Sequence, residues 1–362
     1  MSVTPRVLVL ALLSTAAYGQ SPPEDPAAPG APGKGHVVVL PALGYMPETR
    51  FIGGVIGGYF WQSHDSLRKS SVTAQALYSQ NEQLQTGATF EIFSDSARNR
   101  LTGELTYAYW PGKFYGIGNN TPPGAEEPFA EKYLSANFGL YFGLAPGLSA
   151  GPEYELRISS VVQTSIAGEL ATGRVAGVEN YIASGAGIGL VLDTRDDNFI
   201  PARGRYVSLS GRWYSPALGG GYAFGKYTLD GREYLPLGSD HIVALQAYLS
   251  AVSGSSPFQM LSLLGGDVRG RGYYSGRYRD NLLVSAQAEY RSPLLFRLGL
   301  VLFGGITQVS GDFAGLALRG IHPFAGFGVR FRLLNDTRVN LRLDWGYGDT
   351  SSGSYVGVNE AY

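Results

Sequence analysis

Cysteine is absent from the sequence, which removes thiol catalysis, cysteine-ligated zinc and disulfides together. Charge is sparse as well. Charged residues make up 16% of the chain and the formal net charge is -1, so nucleic acid would meet no basic footprint. Beyond the N-terminus no apolar run approaches the roughly 18 residues that a spanning helix needs. A mean hydropathy of -0.03 is also too polar for a bundle of membrane helices. Only four histidines occur, His36, His64, His241 and His322, and no two are spaced as a metal pair or as part of a triad. There is no Gly-x-Ser-x-Gly elbow and no phosphate-binding loop. Gly185-Ala186-Gly187-Ile188-Gly189 falls inside an expected strand rather than at a strand-to-helix turn. Catalysis, cofactors and metals are therefore not expected.

The N-terminus carries an export signal in its pattern. Arg6 precedes the apolar run Val7 to Leu13, and Ala17 and Gly19 place small residues where a signal peptidase reads them. Residues 1–19 are expected to be a secretory signal. Residues 20–35 contain five prolines and almost no apolar bulk, which makes them an extended linker. The remaining 36–362 are expected to form one domain.

From His36 onward the chain alternates apolar with polar or small positions in segments punctuated by Gly, Pro, Asn, Asp and Ser. Val339, Leu341, Leu343, Trp345 and Tyr347 fall on one strand face, and Asn340, Arg342, Asp344 and Gly346 on the other. Sixteen such segments are expected: 36–45, 50–61, 70–80, 84–94, 100–110, 130–143, 148–161, 181–193, 204–215, 221–235, 241–252, 282–291, 298–309, 322–333, 337–347 and 353–362. Segments of about ten residues suit a tilted membrane crossing better than the five or six usual in a soluble sandwich. The fold class is thus all-β, a single 16-stranded antiparallel transmembrane barrel, with first and last strands paired so that no edge remains. The longest connections, 111–129, 162–180, 253–281 and 310–321, all follow odd-numbered segments and share one side. In outer-membrane barrels long loops face outward, which puts both termini in the periplasm. Tyr109, Trp110, Trp213, Tyr214, Trp345 and Tyr347 near segment ends suit interfacial girdles.

The longest connection holds Arg269, Arg271, Arg277 and Arg279 among five glycines between Leu264 and Asp280. Composition admits two readings: a solvated surface loop, or a loop folded into the lumen where an arginine fork meets Glu289 or Asp344. Three stretches resemble the BamA/TamA-like outer-membrane barrels, the bacterial surface antigen family. They are Arg271-Gly272-Tyr273 with its flanking glycines, the turn from Asp193 through Arg195, Asp196 and Pro201 to Gly204, and the C-terminal Leu341 to Gly346 with Asn359 to Tyr362. The resemblance implies a sixth external loop inserted into the lumen, with Arg271 paired to Asp344 first and Glu289 second. It implies a periplasmic turn built on Asp193, Arg195, Asp196, Pro201 and Gly204, a seam that opens sideways, and Tyr362 as the C-terminal assembly signal. It implies insertion or translocation of protein, or of lipid, at the bacterial outer membrane. Partners would be outer-membrane lipid, unfolded outer-membrane or secreted proteins, and a separate periplasmic protein, since the short linker leaves no room for the family's periplasmic domains. The alternative is a passive pore or structural barrel without assembly activity.

Overall fold

A computed structural model describes residues 35–62, 68–94, 98–122, 124–164, 168–334, 339–349, 351–358 and 360–362. The expected signal, the linker up to Lys34, and His64 lie outside the described residues. Sixteen strands form one antiparallel meander: β1 (His36–Met46), β2 (Arg50–Gln62), β3 (Lys69–Ser79), β4 (Leu84–Phe93), β5 (Arg100–Phe114), β6 (Glu127–Ala145), β7 (Leu148–Thr164), β8 (Tyr181–Asp193), β9 (Gly204–Tyr214), β10 (Phe224–Pro236), β11 (Ile242–Gly254), β14 (Leu282–Arg291), β15 (Leu298–Ser310), β16 (His322–Leu334), β17 (Val339–Gly348) and β18 (Ser352–Val358). Two short strands, β12 (Ser262–Leu264) and β13 (Tyr278–Asp280), pair with each other inside the connection from β11 to β14.

Burial is inverted relative to a soluble protein. In β15, Leu298, Leu300 and Leu302 are exposed while Val301 and Phe303, on the alternate positions, are buried. Elsewhere the buried set includes Glu153, Gln246, Glu289, Arg330 and Asp344, and the exposed set includes Leu209, Leu229 and Leu245. A sheet with apolar residues outside and ionised residues inside is stable only when hydrocarbon surrounds it. The alternation seen in the sequence is this division between lipid face and lumen face.

Strand limits differ from expectation in two informative places. β5 runs past Pro111 to Phe114 and pairs with β6 as far as Phe114↔Glu127, so the hairpin rises beyond the expected end at 110. Proline reads as a strand terminator because it lacks an N–H, yet its carbonyl still accepts a bond, here from Gln83 Nε2 at 2.8 Å. At the other end of the chain, β18 stops at Val358 instead of continuing to Tyr362, and the last residues bend into the barrel.

That bend corrects the expectation of a paired first and last strand. β1 and β18 lie side by side, but among the described residues no backbone ladder joins them. Contact is made by close packing: a Cβ on Gly44 would lie 3.5 Å from Val356 Cβ, and one on Gly353 would lie 2.9 Å from Pro47 Cγ. The cause is length, since β18 has 7 residues against 11 in β1 and its continuation turns inward.

Thr228 and Leu229 are neighbours in the middle of β10, and only Leu229 faces outward with 41% exposure. Leu229→Arg is expected to cost about 2–4 kcal/mol of folding free energy in lipid vesicles, whereas Thr228→Arg, on the lumen side, costs much less. Urea titration of vesicle-folded protein measures both. Equal costs would contradict the assigned faces.

Candidate functional site in the barrel interior

The connection from β11 to β14 does not lie on the surface. β12 and β13 lead it inward, and at its tip Arg271 and Tyr273 are completely buried. Entry into so narrow a space depends on glycine at two facing positions. Gly272 has φ +114, and a Cβ there would meet the backbone of Tyr347 at 2.6 Å. Gly346 on β17 is its counterpart, where a Cβ would lie 2.6 Å from the Arg271 carbonyl group. Backbone therefore passes directly over backbone, which no larger residue allows.

Once placed, the tip is bound on every side. Arg271 Nη1 donates to Asp344 Oδ2 and Nη2 to Glu289 Oε2, each at 2.8 Å. Its guanidinium carbon sits 3.4 Å from the centre of the Phe303 ring. Burial opposes the charge, but Glu289 and Asp344 outweigh it and raise the Arg271 pKa above the ordinary arginine value. Gly272 N donates to Tyr355 on β18 at 2.8 Å, and Ser351 Oγ donates to the Gly272 carbonyl at 2.6 Å. Tyr273 fills a cluster with Leu264, Leu283, Val301, Phe303 and Phe324, and its hydroxyl donates to the Pro323 carbonyl at 2.7 Å. Arg277 Nη1 reaches Thr121 Oγ1 at 2.6 Å, and Arg279 lies over both the Phe114 and the Phe258 ring.

The carboxylates that hold Arg271 are shared. Arg291 Nε donates to Glu289 Oε1 at 2.9 Å and lies 3.7 Å from Glu360 Oε2. Arg330 Nε donates to Glu360 Oε2 at 2.7 Å, and its Nη1 to Asp344 Oδ1 at 2.6 Å. Arg271, Glu289, Arg291, Glu360, Arg330 and Asp344 thus form a closed ring of alternating charge that is neutral as a whole. Sequence reading found Arg271, Asp344 and Glu289, and placed Asp344 ahead of Glu289; here both bind at equal length. Arg291 and Arg330 were missed, although both lie in strands whose alternation turns them inward.

Glu48, in the β1–β2 turn, was missed without any local signal. Its side chain reaches into the loop and accepts from Ser275 N, while its backbone carbonyl accepts from Asn81 Nδ2 at 2.7 Å and Gln83 Nε2 at 3.0 Å. Burial pushes its carboxyl up to about 7, against the lowering effect of the Ser275 N–H.

The turn between β8 and β9 holds the second expected motif. Arg195 grips Asp193 through Nε at 2.9 Å and Nη2 at 2.8 Å, and Asp196 Oδ1 accepts from Ala202 N at 3.0 Å and Arg203 N at 3.2 Å. Gly204, at φ +99, has Thr194 O only 2.3 Å from where a Cβ would stand. Pro201 offers its carbonyl to Arg291 Nη1 at 3.4 Å. Tyr362, expected on a strand, is buried with Tyr234 and Ala244, and its hydroxyl donates to the Ala244 carbonyl at 3.3 Å. Two of the histidines pack against tyrosines: His322 stacks on Tyr278 at 4.0 Å, and His241 Nδ1 lies 2.6 Å from the Tyr290 hydroxyl.

A long glycine- and arginine-bearing loop locked inside a sixteen-stranded barrel is a distinctive architecture, and residues 68–311 match the Omp85 superfamily domain. The chain belongs to the Omp85 superfamily. This Omp85 barrel is similar in fold to BamA from Haemophilus ducreyi lacking POTRA domains 1–3, with TM-score 0.58 and 13% identity over 90% of this chain and 70% of that one. It is also similar to CdiB from Acinetobacter baumannii, with TM-score 0.57 and 12% identity over 90% and 59% of the two chains. For CdiB from Escherichia coli the values are 0.54 and 9%, over 92% and 62%. The barrel therefore spans roughly three fifths of the length of either CdiB chain. No curated protein matches the sequence.

Two outcomes follow for this site. Arg271→Ala and Asp344→Ala should each destabilise the folded barrel by about 3–5 kcal/mol, because each strands a buried charge. The double variant should cost less than the sum, as read by heat-modifiability or urea titration. Additive, near-zero effects would contradict the buried pair. For Glu48, the folded pKa lies above the unfolded one, so its stabilisation is complete below about 4.5 and is lost as pH rises through about 7. The loop's attachment to the first hairpin should weaken between pH 5 and pH 8 in the wild type and stay constant in Glu48→Gln. Thermal unfolding at the two pH values tests this, and an unchanged pH dependence in the variant would exclude Glu48 as the source.

Proposed function

We propose that this Omp85 barrel resides in the bacterial outer membrane and inserts or translocates polypeptide there, engaging its substrate at the seam between β1 and β18. The observation that carries the reading is the unpaired edge. β1 is laddered to β2 along its whole length, yet its other side faces a shorter strand with no backbone pairing among the described residues. Unsatisfied N–H and C=O groups at membrane depth are costly, and a barrel that only conducts would gain nothing from keeping them. A strand-forming polypeptide satisfies those groups by pairing, whereas a lipid does not. Superfamily membership supports the same reading. The partners on this reading are outer-membrane lipid around the wall, an unfolded outer-membrane or secreted protein at the seam, and a separate periplasmic protein that delivers it.

The chain's lack of cysteine allows one engineered disulfide to test this. A Cβ at Gly44 would stand 3.5 Å from that of Val356, within disulfide range. In proteoliposomes, Gly44→Cys/Val356→Cys should fail to accelerate insertion of a urea-unfolded outer-membrane barrel when oxidised and recover on reduction. Equal insertion in both states would overturn the seam reading. No acceleration in either state, with steady ion conductance retained, would favour a passive pore.

A further inference from the structure

The charge ring has a side that the loop does not use. Arg291 stands at the end of β14 away from the loop and divides its donors three ways: Nε to Glu289, Nη2 to the Tyr362 carbonyl at 2.7 Å, and Nη1 to the Pro201 carbonyl at 3.4 Å. Each acceptor belongs to a different segment. Glu289 holds the loop tip, Tyr362 lies just beyond β18, and Pro201 lies in the β8–β9 turn. That turn reaches across the mouth of the barrel to the start of β3, where Lys69 Nζ meets Asp197 Oδ2 at 3.1 Å and Asn198 Nδ2 donates to the Lys69 carbonyl and to Glu91 Oε2, each at 3.2 Å. Phe199 packs edge-on against Phe60, with ring centres 5.8 Å apart. The mouth opposite the loop is thus crossed by the β8–β9 turn and by residues 360–362, and both rest on Arg291.

We propose that Arg291, with Glu360, is a positioning centre that locks the inner turn, the chain's last residues and the loop tip into one closed state, so that releasing the terminal segment also loosens the loop. The physical reason is charge balance. Withdrawing the terminal segment takes both Glu360 and the Tyr362 main-chain oxygen from the ring and leaves Arg271, Arg291 and Arg330 with only Glu289 and Asp344 as ring carboxylates in a desolvated interior, where an uncompensated cation is costly. Arg330 and Arg291 then compete with Arg271 for its two acceptors. Glu360 follows the end of β18 by two residues, so a displacement of that strand is transmitted to the ring through a short tether. The coupling is a property of the lumen contacts and stands or falls apart from the identity of whatever the seam handles.

Amide hydrogen exchange on the full chain in lipid nanodiscs tests it. Glu360→Gln should exchange about tenfold faster in the loop tip, residues 265–276, and in the turn, residues 194–203, while β4 is unchanged. Arg291→Lys, which keeps the charge but can reach only one of the three acceptors, should speed both regions together and serves if Glu360→Gln does not fold. Faster exchange confined to the last residues, or a uniform rise that includes β4, would overturn the proposal.

Discussion

A guanidinium buried away from bulk solvent is the constraint around which the interior is arranged. Moving an arginine out of solvent costs several kcal/mol, and the interior recovers this only with two acceptors at hydrogen-bond length, a ring face and no unpaired carboxylate left behind. Arg271 has all three in Asp344, Glu289 and Phe303. Because two acids would overcompensate one base, the same surroundings require Arg291 and Arg330, and these in turn require Glu360. The glycines at 272 and 346 follow from the same demand, since the guanidinium reaches the acids only if the loop backbone lies directly against β17.

The wall was legible in the sequence because a membrane barrel imposes period 2 on every strand, with the sign of each face fixed by lipid or lumen. Most strand limits fall within a few residues of the alternation's ends, and the exceptions have a common cause. Pro111 looks like a terminator when only the N–H is considered, and Asn359 to Tyr362 look like strand when only the final aromatic is considered. The fate of such residues is decided by partners far along the chain: Gln83 for Pro111, and Arg291 and Ala244 for Tyr362.

The interior was legible only in part, for the same reason. Arg271 stood out because glycines surround it, and Glu289 and Asp344 because alternation turns them inward. Glu48 carries no such mark. It sits in an ordinary three-residue connection, and its burial arises from a loop tip 227 residues away. Nothing local distinguishes it from an exposed turn glutamate.

The low identity to the similar barrels, 9–13%, is what this division of labour predicts. A wall that needs only alternation tolerates nearly any apolar residue outside and nearly any polar residue inside, so sequence can diverge while the meander persists. The lumen contacts are different in kind. A six-member charge ring cannot lose one member without stranding another, and a glycine at the loop crossing cannot gain a Cβ without a clash of backbones. Any function that depends on moving the loop must therefore act through those few residues, and the terminal segment and Tyr355 both tie them to β18, whose outer edge carries no ladder among the described residues.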